Sequence, residues 1–516
     1  MKRPVSFAAV VLAAAFMLPA FAAGAKPKTS PSATQTKPQQ SVTYSSVTIG
    51  GKRIAYKAVA GTLILKNKKH KPAASIFYVA YFKRGVKNYA TRPITFFYNG
   101  GPGSSSVWLH MGAFGPQRIV TTPAPNHTPA APYRLVNNDY SLLNVTDEVF
   151  IDAPATGYSR ILPDGKAKNF FGIDQDGRAF SNFIVQFLSR YNRWNSPKYL
   201  FGESYGTTRN SVLSWDLENN KNVSLNGVIM LSTIMSFDTS IDAPGMNPGI
   251  NLPYELALPT YAATSWYHHR LPNETQKMAL KTLLRTVEEF AMNSYAHALN
   301  AGNTISSAEK NTMAAKLHLY TGLSTSYLLR ADLRVSGPEY EHELLNNNGE
   351  TTGRLDTRFI GPSMNPLARE AYYDPQSSSI SQAYVAGFNW YTRNVLKFGK
   401  GQYYRPVYYG HMQWSFKNRP PFSGRQVTPN VMLNLAAAMK YNPGLKVMVN
   451  GGYFDLATPF YAAWYQFEQL PITKRLEKNI SFYWYASGHM VYVHVPALKK
   501  LHANVTRFIE QTDHAH

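Results

Sequence analysis

Cysteine is absent from all 516 residues. That excludes a disulfide-stapled scaffold, and with it any Cys/His zinc cluster. A chain this long, 44% apolar, buries a large core and needs no staples. Acidic residues are scarce, 30 against 53 basic ones, for a formal net charge of +23. The basic residues are scattered, and the densest run, Lys66 to Lys71, lies between two strand-like segments. It reads as a solvated hairpin tip, so net charge alone does not argue for a nucleic-acid partner. Long apolar runs are also lacking. Val5 to Leu18 is the longest, short of the roughly 20 residues a membrane span needs. Lys2 and Arg3 precede it, and Ala20-Phe21-Ala22 and Ala23-Gly24-Ala25 follow as small-x-small cleavage sites. Residues 1–25 therefore read as a cleavable secretory signal. No cysteine precedes the small residues to accept a lipid. Export without cysteine suits a bacterial periplasmic or secreted protein with no membrane span. Sequons such as Asn144-Val145-Thr146 are read as accidental.

Residues 26–42 are Lys, Pro, Thr, Ser and Gln, the composition of a disordered leader. From there β-rich segments recur: 46–49, 53–56, 76–79, 94–98 and 148–152. A helix over 177–194, a strand at 199–201, a second helix and a strand at 227–231 follow. Strand–helix alternation of this kind predicts an α/β fold, a mostly parallel sheet flanked by helices. After Ser236 the texture changes. Helical patterns cover 274–299 and 307–319, and residues 336–425 are turn-rich and aromatic. Alternation returns with a helix near 431–440, strands at 445–449 and 480–485, and a terminal helix near 496–509. The expected layout is a core of 43–235 and 426–516 carrying a large, mainly helical insertion, 236–425. The chain contains no internal repeat.

Gly202-Glu203-Ser204-Tyr205-Gly206 follows the apolar run Tyr199-Leu200-Phe201 and precedes a helix-forming segment. A G-x-S-x-G turn between a strand and a helix is the setting of a nucleophile elbow, which lifts one serine hydroxyl above a sheet. Serine needs a base, and the base needs an acceptor to hold its tautomer. His489, in Ala486-Ser487-Gly488-His489-Met490, is the best base. Asp455, in Asn450-Gly451-Gly452-Tyr453-Phe454-Asp455, is the best acid. Both follow strands, where catalytic groups of an open α/β sheet collect. Asp152 is the rival acid, but it precedes the serine and breaks the order serine, acid, histidine. Asn99-Gly100-Gly101-Pro102-Gly103 follows another strand. No Gly-Lys-Ser/Thr follows it, so an oxyanion loop fits better than a phosphate loop.

These segments, with Asp152-Ala153-Pro154-Ala155-Thr156-Gly157-Tyr158-Ser159, resemble the signatures of the serine carboxypeptidase family, over roughly 93–235 and 426–510. The resemblance implies an α/β-hydrolase fold, with Ser204 as nucleophile, His489 as general base and Asp455 as its orienter. It implies an oxyanion hole from the N–H groups of Gly101 and Tyr205. Asn99, the Gly100 N–H and Glu203 would hold the terminal carboxylate of a peptide substrate. No metal or cofactor is implied. Glu203 donates to a carboxylate only when protonated, so the resemblance also implies an acidic optimum. The chain departs from the pattern in three places. Phe97 stands where the family usually has tryptophan, Ser104 where it has cysteine, and Ala113 where a second glutamate supports the carboxylate-binding pair. The last departure weakens the proton-sharing network. An esterase or acyltransferase on the same triad is the alternative, and a non-catalytic binding protein is the reading from another class.

Overall fold

The computed structural model describes residues 36–409, 412–426 and 429–513. The expected signal, residues 1–25, lies outside them. A ten-stranded sheet runs through the molecule. Its strands in chain order are β1 (Gln40–Ile49), β2 (Lys52–Lys66), β3 (Pro72–Lys83), β4 (Ile94–Tyr98), β5 (Asp147–Ile151), β6 (Lys198–Glu203), β7 (Gly227–Leu231), β8 (Lys446–Gly452) and β9 (Ile480–Tyr485). A two-residue strand, Arg160–Ile161, pairs with β3. The spatial order is β1-β2-β3-β5-β4-β6-β7-β8-β9. β1 to β3 are antiparallel and β5 pairs antiparallel with β3; from β5 across to β9 every pairing is parallel.

The parallel strands β4 to β7 are buried at every residue. Continuous burial is expected where both faces of a parallel sheet are covered. Alternate residues feed separate apolar layers. Ile94, Phe96, Leu200, Val228 and Met230 enter one with helices α1 (Ile173–Arg190) and α2 (Tyr205–Trp215). Phe97, Phe201, Ile229 and Met448 enter the other, against α3 (Pro375–Asn394). Helix α4 (Met432–Tyr441) joins the first layer and α5 (Val495–Thr512) the second. In α1 the buried positions Ile173, Asp176, Gly177, Phe180, Phe183, Ile184 and Phe187 recur every three or four residues.

Three expectations need correction. β1 begins at Gln40, inside the segment read as a disordered leader, and pairs with the Val59–Gly61 stretch of β2. The turn-rich region 336–425 contains the 20-residue helix α3, whose Ile380, Ala383, Tyr384, Phe388 and Tyr391 pack onto the sheet. The helix expected over 274–299 is broken, with Leu280–Phe290 followed by a wider turn, Ala291–Tyr295. Helices Leu252–Tyr267, Leu280–Phe290 and Ser307–Thr321 build an apolar cluster of their own between β7 and β8. Lys66–Lys71 is the tip of the β2–β3 hairpin, closed by a hydrogen bond from the His70 N–H to the Asn67 carbonyl. No helix among the described residues is long and apolar enough to cross a membrane.

Candidate active site

Strand register delivers the site. Tyr98 pairs with Gly202, so the next residues, Asn99 and Glu203, stand side by side at the carboxyl ends of β4 and β6. Gly452 pairs with Tyr485, so the loops after β8 and β9 leave the sheet at one level. Backbone bonds zip those loops together, Tyr453 N–H to Tyr485 O at 3.0 Å and Phe454 N–H to Ser487 O at 3.0 Å. Asp455 and His489 are thereby brought into contact. Their Oδ2···Nδ1 distance is 2.8 Å, with both side chains almost wholly buried. Thr458 completes the carboxylate's shell, its N–H to Oδ1 at 3.0 Å and its hydroxyl to Oδ2 at 2.7 Å. A carboxylate only accepts, so His489 carries its proton on Nδ1 and leaves Nε2 as the basic nitrogen.

Ser204 sits at the turn from β6 into α2 with φ 60° and ψ −130°. A non-glycine residue in that region is strained by about 1–3 kcal/mol. The strain is held by bonds on both sides, Ser204 N–H to Leu231 O at 2.9 Å and Thr207 N–H to Ser204 O at 2.7 Å. The turn is too tight for a side chain at Gly202, whose Cβ would lie 2.2 Å from Gly206 O. Ser204 remains partly exposed among buried neighbours. The glycine-rich loop packs directly on this elbow. A Cβ on Gly100 would meet Tyr205 N at 2.4 Å, and Gly101 follows with φ 109°. The loop is held from behind by Asp152, which accepts from the Ser106 N–H at 2.9 Å and hydroxyl at 2.8 Å. Asp152 thus buttresses the loop, and burial pushes its carboxyl up to about 6.

Glu203 is 3% exposed, and burial pushes its carboxyl up to about 7 against the countering charge of His489. Burial pulls the His489 imidazole down, but the charge and hydrogen bond of Asp455, with the Glu203 charge, outweigh it and the net shift is upward. The Tyr492 hydroxyl and the Asn99 amide face the Glu203 carboxyl closely enough to lower its pKa somewhat. Even so, Tyr492 Oη, Asn99 Nδ2 and Glu203 Oε2 complete no hydrogen bond of normal geometry.

Ser204, Asp455, His489, Asn99, Glu203 and the glycine loop therefore lie at the carboxyl edge of the strands. Several others there carried no motif. Arg209, on α2, donates to Asn99 O at 2.8 Å and is neutralised by Asp176 at 2.6 Å. Ser232 donates to His489 O at 2.7 Å. Leu355 O accepts from the His489 N–H at 2.6 Å, and Asp356 Oδ2 from the Gly488 N–H at 3.2 Å. Tyr492 was equally silent; its three-residue offset from His489 gains meaning only on the Val491–Val493 turn.

The serine carboxypeptidase profile matches residues 52–388, well over half the chain. The chain belongs to the serine carboxypeptidase family. The family match runs through residues 236–388, outside the segments that carried the resemblance, and stops before Asp455 and His489. A curated family relative, the pheromone-processing carboxypeptidase KEX1 of Yarrowia lipolytica, is 31% identical over 142 residues, 27% of this chain. The chain spans only about a fifth of that relative's length, 21%. The crystal structure of Kex1(delta)p, a prohormone-processing carboxypeptidase from Saccharomyces cerevisiae, aligns with a TM-score of 0.52 and 13% identity, over 88% of this chain and 92% of that one. That likeness bears on the fold, the α/β-hydrolase architecture that the family resemblance implied.

Proposed function

We propose that this protein is a serine-type carboxypeptidase that releases C-terminal residues from peptides. The observation that carries the reading is the buried Asp455–His489 pair at the same carboxyl edge of the sheet as an elbow serine and a carboxyl, Glu203, raised by burial to about 7. Ser204 Oγ attacks the last peptide carbonyl while His489 Nε2 takes its proton. The tetrahedral oxyanion is received by the N–H groups of Gly101 and Tyr205. His489 then passes the proton to the leaving amine, and the acyl-enzyme on Ser204 is hydrolysed by water in the reverse sequence. Asn99, the Gly100 N–H and protonated Glu203 hold the terminal carboxylate, which makes the enzyme an exopeptidase. Segment 354–358 and the helices between β7 and β8 cover this edge and shape the side-chain pockets, a role supported by the bonds from Leu355 and Asp356 to the His489 loop. The basic, apolar and small-residue order of Lys2 to Ala25 supports action after export, in a periplasm or outside the cell.

The test is a substrate panel: N-blocked dipeptides with a free terminal carboxylate, their amides, and simple esters, between pH 4 and 8. Release of the last residue with a preference for the free acid is the expected result. Turnover of esters alone would instead assign an esterase or acyltransferase to the same triad, and binding without turnover a non-catalytic protein.

A further inference from the structure

Three polar atoms meet beyond β4 and β6 without hydrogen-bond partners: Asn99 Nδ2, Glu203 Oε2 and the Tyr492 hydroxyl. Their residues are at most 3% exposed. Leaving one such atom unpaired carries a desolvation penalty, and three at one spot mark a place built to receive a polar group. Asn99 cannot rotate to relieve the shortfall, because its Oδ1 accepts the Leu109 N–H at 3.1 Å and its carbonyl is held by Arg209 at 2.8 Å. Its NH2 is thus turned toward Glu203. Tyr492 is held by packing. Its ring passes Gly112 so closely that a Cβ there would lie 2.7 Å from Tyr492 Cε2 and 2.7 Å from the Tyr384 hydroxyl. Gly112 lies on the Leu109–Phe114 turn, and its lack of a side chain leaves the space these two rings occupy.

The inventory of the cluster fits one ligand class. Asn99 and Tyr492 are neutral donors, and Glu203 becomes a donor on protonation. A carboxylate accepts at two oxygens with about four lone-pair sites, enough for all three. We propose that Tyr492 is a binding residue for the terminal carboxylate of the peptide, donating to it beside Asn99 and Glu203. The proposal rests on the carboxypeptidase reading. It also has a consequence of its own. Burial and the neighbouring Glu203 charge push the Tyr492 phenol far above its ordinary range, so it stays a donor after Glu203 ionises.

Tyr492→Phe removes one oxygen and keeps the ring. The measurement is the ratio of kcat/KM for an N-blocked dipeptide to that for its C-terminal amide, in wild type and variant, with KM and kcat resolved. A hydrogen bond to a charged group is worth about ten- to a hundredfold, so the ratio should fall by at least tenfold, chiefly through KM. Inhibition by an N-blocked amino acid, which carries the carboxylate but no scissile bond, should weaken by a similar factor. Equal losses for acid and amide, or an unchanged ratio, would overturn the role of Tyr492 while leaving the carboxypeptidase reading intact. A wild-type enzyme with no preference for the free acid would remove both together. Thermal unfolding of the variant close to wild type ensures that a lost ratio reports on binding and not on folding.

Discussion

Two buried polar clusters at opposite ends of the parallel sheet are partnered in different ways. At the amino edge, Asp147 opens β5 and accepts from Arg92 Nε at 3.0 Å, Arg193 Nη1 at 2.5 Å and the Lys83 N–H at 3.0 Å. The guanidinium of Arg92 goes on to Leu143 O and Thr146 O, and that of Arg193 to Arg92 O. All three side chains are almost wholly buried, and donors are matched to acceptors. At the carboxyl edge, Asn99, Glu203 and Tyr492 are just as buried and leave donors and an acceptor open, beside a serine held in strained backbone geometry. Saturated polarity ties strands together. Open polarity, supported by the same strands, is what the proposed carboxylate site offers.

The comparison can be broken at either end. The largest effect belongs to Ser204→Ala, which should lower kcat on a free-acid dipeptide by roughly five to six orders of magnitude. Its unfolding midpoint should barely move, because the backbone bonds holding the elbow do not involve the hydroxyl. Asp147→Asn should give the reverse pattern. Two buried guanidinium groups would lose their counter-charge, at a cost of about 3–5 kcal/mol in denaturant unfolding, while the folded fraction keeps the wild-type kcat/KM. Glu203→Gln sharpens the contrast through pH. In the wild type, kcat/KM for free-acid substrates should be bell-shaped. The acidic limb is protonation of His489. The alkaline limb is ionisation of Glu203 through about pH 7, since its raised pKa keeps it a donor only below that point. Glutamine cannot ionise, so the alkaline limb should vanish, with a several-fold loss at the optimum. Removal of the negative charge that helps raise His489 should also move the acidic limb to lower pH. A retained alkaline limb would assign that ionisation to another group.

The parts of this layout that were legible in the sequence are those encoded locally. Buried strands such as Ile94–Tyr98 and Gly227–Leu231 read as apolar runs, and the elbow, the glycine loop and the His489 segment each have a compact signature. What local patterns missed depends on partners distant in the chain. Gln40–Val42 has the composition of a leader, yet forms a strand because β2 supplies the facing backbone. Helix α3 opens on Pro375-Gln376-Ser377-Ser378-Ser379 and carries Gly387, both weak helix signals. It forms because Tyr384, Phe388 and Tyr391 find the sheet, and because Asp374 caps its first turn with bonds to the Gln376 and Ser377 N–H groups. Thr458 and Tyr492 carry no pattern, since their roles come from side chains met only after folding.

His489 is suspended from two places. One is its own loop after β9; the other is a span some 130 residues earlier in the chain, where Leu355 and Asp356 grip the backbone at positions 489 and 488. On the proposed reading, rebuilding that span to change substrate preference would also re-aim the imidazole, so selectivity and turnover would be joined there. The helices Leu280–Phe290 and Ser307–Thr321 reach the neighbouring Asp455 loop instead, through apolar clusters that join Leu284 to Phe454 and Leu283, Val287, Met313 and Leu317 to Leu456.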